Sequence, residues 1–267
     1  MIMKEVQISR IDIHARKMEQ KKDFVAEEIP LHIFLNQTHY VTILCSPNKL
    51  KELVIGHLIS EGVLKSMEEI KETRFEASGK CVVRLKADVD VEKRINTTQP
   101  FARLIVSACG SPDYWPLSKL VDRLHVSKVP STLLVEAKVV SDSVRQLNIL
   151  AKTFRKTGGV HVAAAYSSKG ELKTFAEDVG RHNAIDKVIG ACILGKIDFN
   201  DCFFASSGRL SGDIVLKAAR MKVQLIASLT AAINSGIEIA QHMGVTLIGF
   251  VRGNRMNIYT YPERIIN

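Results

Sequence analysis

The residues whose types and spacing could do the most chemistry form one stretch, Glu177-Asp178-Val179-Gly180-Arg181-His182-Asn183-Ala184-Ile185-Asp186-Lys187. Seven of these eleven residues carry a charge or a hydrogen-bonding side chain, yet apolar runs lie on both sides, at 160–166 and from Ala184 to 194. Asn183 suits a helix N-cap and Asp186 the first turn, where the helix dipole favours negative charge. Gly195 stands where a C-terminal glycine belongs. Asp178, Arg181 and His182 then occupy a strand-to-helix turn, a natural place to hold an anion. A charged turn that merely caps the helix is the alternative, and the residues by themselves leave both open.

Four other places carry reactive types. Cys109 follows an apolar run at 102–108 and opens the turn Cys109-Gly110-Ser111-Pro112, which puts a thiol on a loop where a strand ends. A lone cysteine is ordinarily a small, partly buried residue; as a thiolate on an exposed loop it is a nucleophile. Arg252-Gly253-Asn254-Arg255 is either a hairpin turn with two solvated arginines or a clamp on phosphates. Ser206-Ser207-Gly208-Arg209-Leu210-Ser211 is a reasonable phosphate cradle but lacks the Lys-Ser/Thr ending of an ATP-hydrolysing loop, and Lys217 lies two turns into the helix that follows. Thr157-Gly158-Gly159-Val160-His161 offers backbone amides and an imidazole, or simply a helix stop and a core histidine.

The elements that must position these residues fall into two parts, 1–115 and 116–267. Alternation over 6–13 predicts a strand and 15–22 a charged connector; 29–35 and 38–44 predict a hairpin about Asn36-Gln37. Pro47 opens a helix carrying Leu50, Leu53, Val54, His57 and Leu58, and strands at 73–76 and 81–85 complete a small α+β part. Val140, Val144, Leu147, Leu150 and Phe154 make one helical stripe, stopped by Gly158-Gly159. From residue 160 a hairpin, then strands alternating with helices (183–194, 211–220 and 230–243), predict a mostly parallel sheet covered on both faces. Ligands of such sheets bind beyond the carboxyl ends of the strands, here the turns at 177–183, 206–211 and 228–231.

In bulk the 267 residues are 46% apolar and 24% charged, as in an ordinary soluble globular protein, and without an apolar run after Met1 or an uncharged stretch of membrane-spanning length neither secretion nor membrane insertion is expected. The five cysteines form no close pair, so the expected setting is reducing and cytoplasmic, without zinc-type ligand spacing or a bound metal ion. The net charge of +9 favours an acidic or phosphate-bearing partner; the basic residues are scattered without interleaved aromatics, so nucleic acid is not expected.

The stretch 177–187 resembles the signature of the FdhD family, the sulfur-carrier accessory proteins of formate dehydrogenase. Residues 157–161, 206–210, 246–253 and 257–260 support the resemblance, as does Ser46-Pro47…Leu50…Leu53…Gly56-His57-Leu58…Glu61-Gly62. It implies a mixed α/β fold whose C-terminal part is a cytidine-deaminase-like three-layer mixed sheet, joined to the smaller N-terminal α+β part. The His-x-Glu and Pro-Cys-x-x-Cys ligands of a zinc deaminase are missing from the sequence, so deamination is not implied.

The resemblance also implies that Cys109 takes sulfur from a cysteine desulfurase as a persulfide and delivers it to the molybdenum (or tungsten) bis-molybdopterin guanine dinucleotide of formate dehydrogenase. By the same resemblance Phe250, Val251, Arg252, Gly253, Asn254 and Arg255 bind that cofactor. Gly159, His161, Asp178, Arg181, His182, Ser207, Arg209 and Lys217 complete the pocket, and the chain forms a homodimer. The family's loop is typically Cys-Gly-x-Cys, whereas here Pro112 occupies the second position. That rules out a relay within the loop and leaves open a cofactor-binding chaperone that transfers no sulfur. A further departure, Thr230-Ala231-Ala232 where the family often has Pro-Thr, alters the shape expected of the pocket.

Overall fold

The computed structural model describes residues 2–95, 121–122, 124 and 126–267, so the strand expected at 102–108 and Cys109 itself lie outside the described residues. The chain opens with a hairpin arm, β1 (Met3–Asp12) and β2 (Lys17–Ala26), paired from Met3↔Ala26 to Asp12↔Lys17. The charged connector expected at 15–22 is therefore mostly strand. Its charges meet opposite charges across the ladder, Lys22 with Glu5 at 2.8 Å and Arg10 with Asp23 at 3.1 Å.

Strands β3 (Ile29–Leu35), β4 (Thr38–Cys45), β5 (Ile70–Glu76) and β6 (Lys80–Leu85) form a four-stranded sheet in the order β4-β3-β6-β5. Its inner face, with Leu31, Ile33, Cys81 and Val83 fully or nearly fully buried, packs on helix α1 (Leu50–Ser60). That helix buries Leu53, Val54, Ile55, Leu58 and Ile59 and has little polar face, as befits a helix covered on two sides.

Next come β7 (Val135–Glu136), α2 (Ala137–Leu150) and α3 (Lys152–Thr157). The sequence predicts one helix across this span. The break falls at Ala151 (ψ 60°), because the buried Glu177 carboxylate accepts from the Thr153 and Phe154 amides at 3.0 and 3.1 Å and starts a new helix there.

The remaining elements are β8 (His161–Ser167), β9 (Leu172–Asp178), α4 (Arg181–Leu194), β10 (Cys202–Ser206), α5 (Gly212–Arg220), β11 (Leu225–Ser228), α6 (Asn234–Met243), β12 (Thr246–Arg252), β13 (Arg255–Thr260) and β14 (Ile265–Ile266), the last paired with β7. A six-stranded mixed sheet runs β13-β12-β11-β10-β8-β9, in which only the β10–β11 and β11–β12 pairings are parallel. Tight turns at 168–171 and 252–255 make the outer pairs antiparallel, which corrects the expectation of a mostly parallel sheet. Val140, Val144 and Leu147 of α2 cover one face, against Val162, Tyr166, Phe203 and Leu225. Ile185, Val188 and Ile189 of α4 join Ile214 of α5 and Ile239 of α6 on the other.

Three helix starts differ from expectation, the first being α1, which begins at Leu50 and not at Pro47 because Lys49 ahead of it holds a left-handed backbone (φ 48°). Helix α4 begins at Arg181, because the Asp178 carboxylate accepts the Gly180 amide at 2.9 Å and closes the turn early. Asn183 lies within the first turn and donates to Leu44 O and Asp178 Oδ1. Helix α6 begins at Asn234, since 231–233 runs extended beside Leu210, which donates to Ala231 O and accepts from the Ile233 amide.

The two sheets are joined where α1 crosses α4. A Cβ on Gly56 would stand 1.8 Å from the Asp186 backbone oxygen, and one on Gly190 1.9 Å from that of Glu52. The two backbones are in direct contact there.

Candidate functional site: one edge of the six-stranded sheet

The registers Ser206↔Ser228, Ser206↔Ala163, His161↔Asp178 and Arg252↔Arg255 bring the ends of β9, β10, β11 and β12 and the starts of β8 and β13 to a single edge. Two groups of side chains occupy it. In the first, the Ser207 hydroxyl accepts the Val162 amide at 3.0 Å and lies 3.4 Å from His161 Nδ1. The Arg181 stem packs over Gly208, where a Cβ would meet Arg181 Cβ at 2.8 Å, and the buried Arg181 Nε has no hydrogen-bond partner among the described residues. His182 pairs with Asp213 in the first turn of α5, and the Ser211 hydroxyl donates to the same carboxylate. Burial would push the Asp213 carboxyl up, but His182 and Ser211 together hold it well below the usual carboxylate range.

His161 is a second titratable group of this cluster. Burial first, then the positive charges of Arg181, His182 and Arg209, lower its pKa from the ordinary 6.5, so the ring is neutral at neutral pH. In a titration followed by NMR, His161 takes up its proton below that value, and Arg181→Ala moves the midpoint upward; an unmoved midpoint would take Arg181 out of its surroundings. Exposed Gly159 lies at the start of β8 against Ala26, where the arm ends.

Asp178 and Lys217 are not part of this group. Asp178 is fully buried, paired with Lys187 at 2.5 Å, and accepts the amides of Ser46 and Gly180. Lys217 reaches Asp186 at 2.6 Å and Glu61 at 2.8 Å, and His57 and Ser60 also bond to Asp186. Both lysines tie the segment 46–61 to α4 and α5.

The second group is a cleft of about 510 Å³ between α2 and the β12–β13 turn. Arg252, Gly253 and Asn254 line one side, Ser141, Arg145 and Asn148 the other, and among the described residues none of the lining is acidic. Arg252 Nε donates to Leu229 O at 2.9 Å, and its guanidinium stands 5.5 Å from the Phe250 ring. Phe250 holds a left-handed backbone (φ 50°) at an irregularity in the pairing of β12 with β13, and its amide donates to Thr230 O. Backbone strain of this kind gathers at ligand clamps.

The sequence matches the FdhD/NarQ family over residues 26–266. The chain belongs to the FdhD/NarQ family. Family relatives include a sulfur carrier protein FdhD of Bacillus pumilus, 36% identical over 92% of this chain and 91% of its own, and one of Sulfolobus acidocaldarius, 35% identical over 99% of both. A crystal structure from Desulfotalea psychrophila, described as a formate dehydrogenase accessory protein, superposes with a TM-score of 0.76 at 25% identity, over 99% of this chain and all of that one. The FdhD/NarQ match begins at Ala26, so the β1–β2 arm precedes it.

Of this family member's five cysteines, four are described, and all four are buried. Burial pushes the thiols of Cys45, Cys81 and Cys192 up to about 12 and that of Cys202 up to about 11, which makes them poor nucleophiles. Among the described residues, no three His, Cys, Asp or Glu side chains gather as a metal site requires, and no helix is long and apolar enough to cross a membrane. Sequence reasoning missed Ser141, Arg145 and Asn148. The available signal was their i, i+4, i+7 spacing beside the buried stripe Val140, Val144 and Leu147.

Proposed function

We propose that this chain is a sulfur carrier serving formate dehydrogenase. Likeness over nearly the whole chain to relatives named sulfur carriers carries the reading, and the buried state of four thiols leaves Cys109 as the nucleophile. The Cys109 thiolate attacks the terminal sulfur of a persulfide on a cysteine desulfurase. A new S–S bond forms as the donor's S–S bond breaks, the donor cysteine leaves as thiolate, and the outer sulfur remains on Cys109. The acceptor is the molybdenum (or tungsten) bis-molybdopterin guanine dinucleotide cofactor, which when bound supplies the metal centre that receives sulfur.

The residues of the cleft suit the nucleotide end of that cofactor: an arginine fork held by Leu229 O, a glycine turn open to a ligand, and no acid in the lining. The segment Phe250, Val251, Arg252, Gly253, Asn254 and Arg255 binds there, and His161, Arg181, His182, Ser207 and Arg209 make a second, cationic part of the same edge. The deaminase-like layering and the homodimer implied by the resemblance belong to this reading, as do the division at residue 115 and the cytoplasmic setting expected from the sequence. Pro112, in place of the second loop cysteine, favours a second one, a cofactor-binding chaperone that transfers no sulfur.

Intact-mass measurement after incubation with a cysteine desulfurase and cysteine separates the two. The wild-type protein gains about 32 Da per sulfur atom and Cys109→Ser gains none. No gain in the wild type, with a desulfurase shown to be active, would leave the chaperone.

A further inference from the structure

The cleft beside the β12–β13 turn has a second wall, on α2 and outside the stretches that carry the resemblance, and its chemistry points to a specific part of the ligand. We propose that Arg145 and Asn148 of α2 are ligand-binding residues, with Arg145 and Arg252 gripping a nucleoside diphosphate from opposite sides of the cleft. This rests on the reading above that the turn binds the cofactor's nucleotide end, and it assigns the diphosphate to a position between two helical and hairpin arginines.

The placement follows from the register of α2. Val140, Val144 and Leu147 are buried on the sheet, so Ser141, Arg145 and Asn148, each one residue further on, line the flank of the helix that faces the turn. The cleft volume of about 510 Å³ lies in the range of pockets that hold small organic ligands. Leu229 and Val251 give it an apolar floor of the kind a base rests on, and the amides of Asn148 and Asn254 can each donate and accept at a base or ribose edge. Arg252 is already oriented by its bond to Leu229 O.

Arg145 is held by Asp142 at 2.5 Å, but the two side chains are 69% and 46% exposed, so the pair is weak and readily exchanged for a phosphate. Asp142 does not become unpaired by the exchange, since Lys138 stays bound to its other oxygen at 2.6 Å. Two cationic forks across one cleft, with no lining acid, are matched by a ligand bearing at least two negative charges in a short span, which a diphosphate supplies and a neutral nucleoside does not.

Calorimetric titration of the full chain with GDP and with guanosine tests this. Arg145→Ala and Arg252→Ala each weaken GDP binding by about tenfold or more, and Arg145→Lys, which keeps the charge but loses the fork, falls between wild type and Arg145→Ala. The exposed Lys152→Ala, which removes a charge near the end of α2 without lining the cleft, leaves GDP affinity unchanged. Asn148→Ala weakens GDP and guanosine alike, whereas Arg145→Ala affects GDP alone. If Arg252→Ala loses GDP and Arg145→Ala does not, the second wall is wrong and the nucleotide reading of the turn stands. If the wild type takes up no GDP, or neither arginine matters to it, both readings fall.

Discussion

Lys217→Met lowers folding stability by about 3–5 kcal/mol, measured by urea denaturation at neutral pH. The methionine replaces the stem of the lysine but leaves two carboxylates, Asp186 and Glu61, facing a buried joint without the ammonium that now bonds to both. Attraction between ions in such a place repays desolvation only while every member is present, so removing one partner exceeds the worth of the pair. A loss under about 1 kcal/mol, the scale of a solvated surface pair, would show the joint to be wet.

The pH dependence sharpens the test. Burial pushes the Asp186 carboxyl up, but Lys217 and His57 pull it down further, from 3.8 to about 2. A folded value below the unfolded one means that the stabilisation is complete above the unfolded pKa and drains away as pH falls toward 2. In Lys217→Met burial dominates and the sign reverses, so protonation relieves the variant. The gap between wild type and variant therefore narrows from about pH 7 to about pH 4. A gap that widens over that range would refute the arrangement.

Gly190→Ala is the second large effect. Judged on helix propensity alone it should stabilise α4 by roughly 0.5–1 kcal/mol. Instead the new methyl would lie 1.9 Å from the Glu52 carbonyl oxygen, and backbone of a packed helix cannot give by that much. The expected outcome is a loss of about 3 kcal/mol or more, or failure to fold, with Gly56→Ala behaving alike against Asp186. Gly253→Ala provides the contrast. Its φ of 57° is unfavourable for alanine, yet nothing lies within 4 Å of the added carbon, so the loss is about 1 kcal/mol. Comparable midpoints for Gly190→Ala and Gly253→Ala would mean that α1 and α4 do not touch as described.

Much of the sheet edge was legible, because strand ends and turn residues are local signals. Ser207 and Arg209 follow, and Arg252 ends, strands whose apolar runs are plain in the sequence, and topology then carries those ends to one edge. The charged stretch 177–187 was harder. Its residue types are those of a ligand-binding turn, but Asp178, Asp186 and Lys187 point inward because α1 covers the side of α4 that the sheet does not. No local pattern reveals that second cover; the partners Ser46, His57 and Ser60 lie 126 or more residues away. The need for glycine at positions 56 and 190 has the same origin, since the backbone each one meets, at Asp186 and Glu52, is distant in sequence. The broken helix at Ala151 likewise depends on a carboxylate from Glu177, which only tertiary structure brings there.

The joint between α1 and α4 also bears on how the chain is made. Ser60 meets Asp186 across 126 residues of sequence, so at ribosomal rates of about 5–20 residues per second roughly ten seconds pass between the emergence of the two partners. Throughout that interval α1, apolar on nearly every side, has only the four-stranded sheet to cover it. Its other face, with His57 and Ser60, waits for a helix not yet synthesised, and this is the period in which the nascent chain is most open to chaperones and to misassembly.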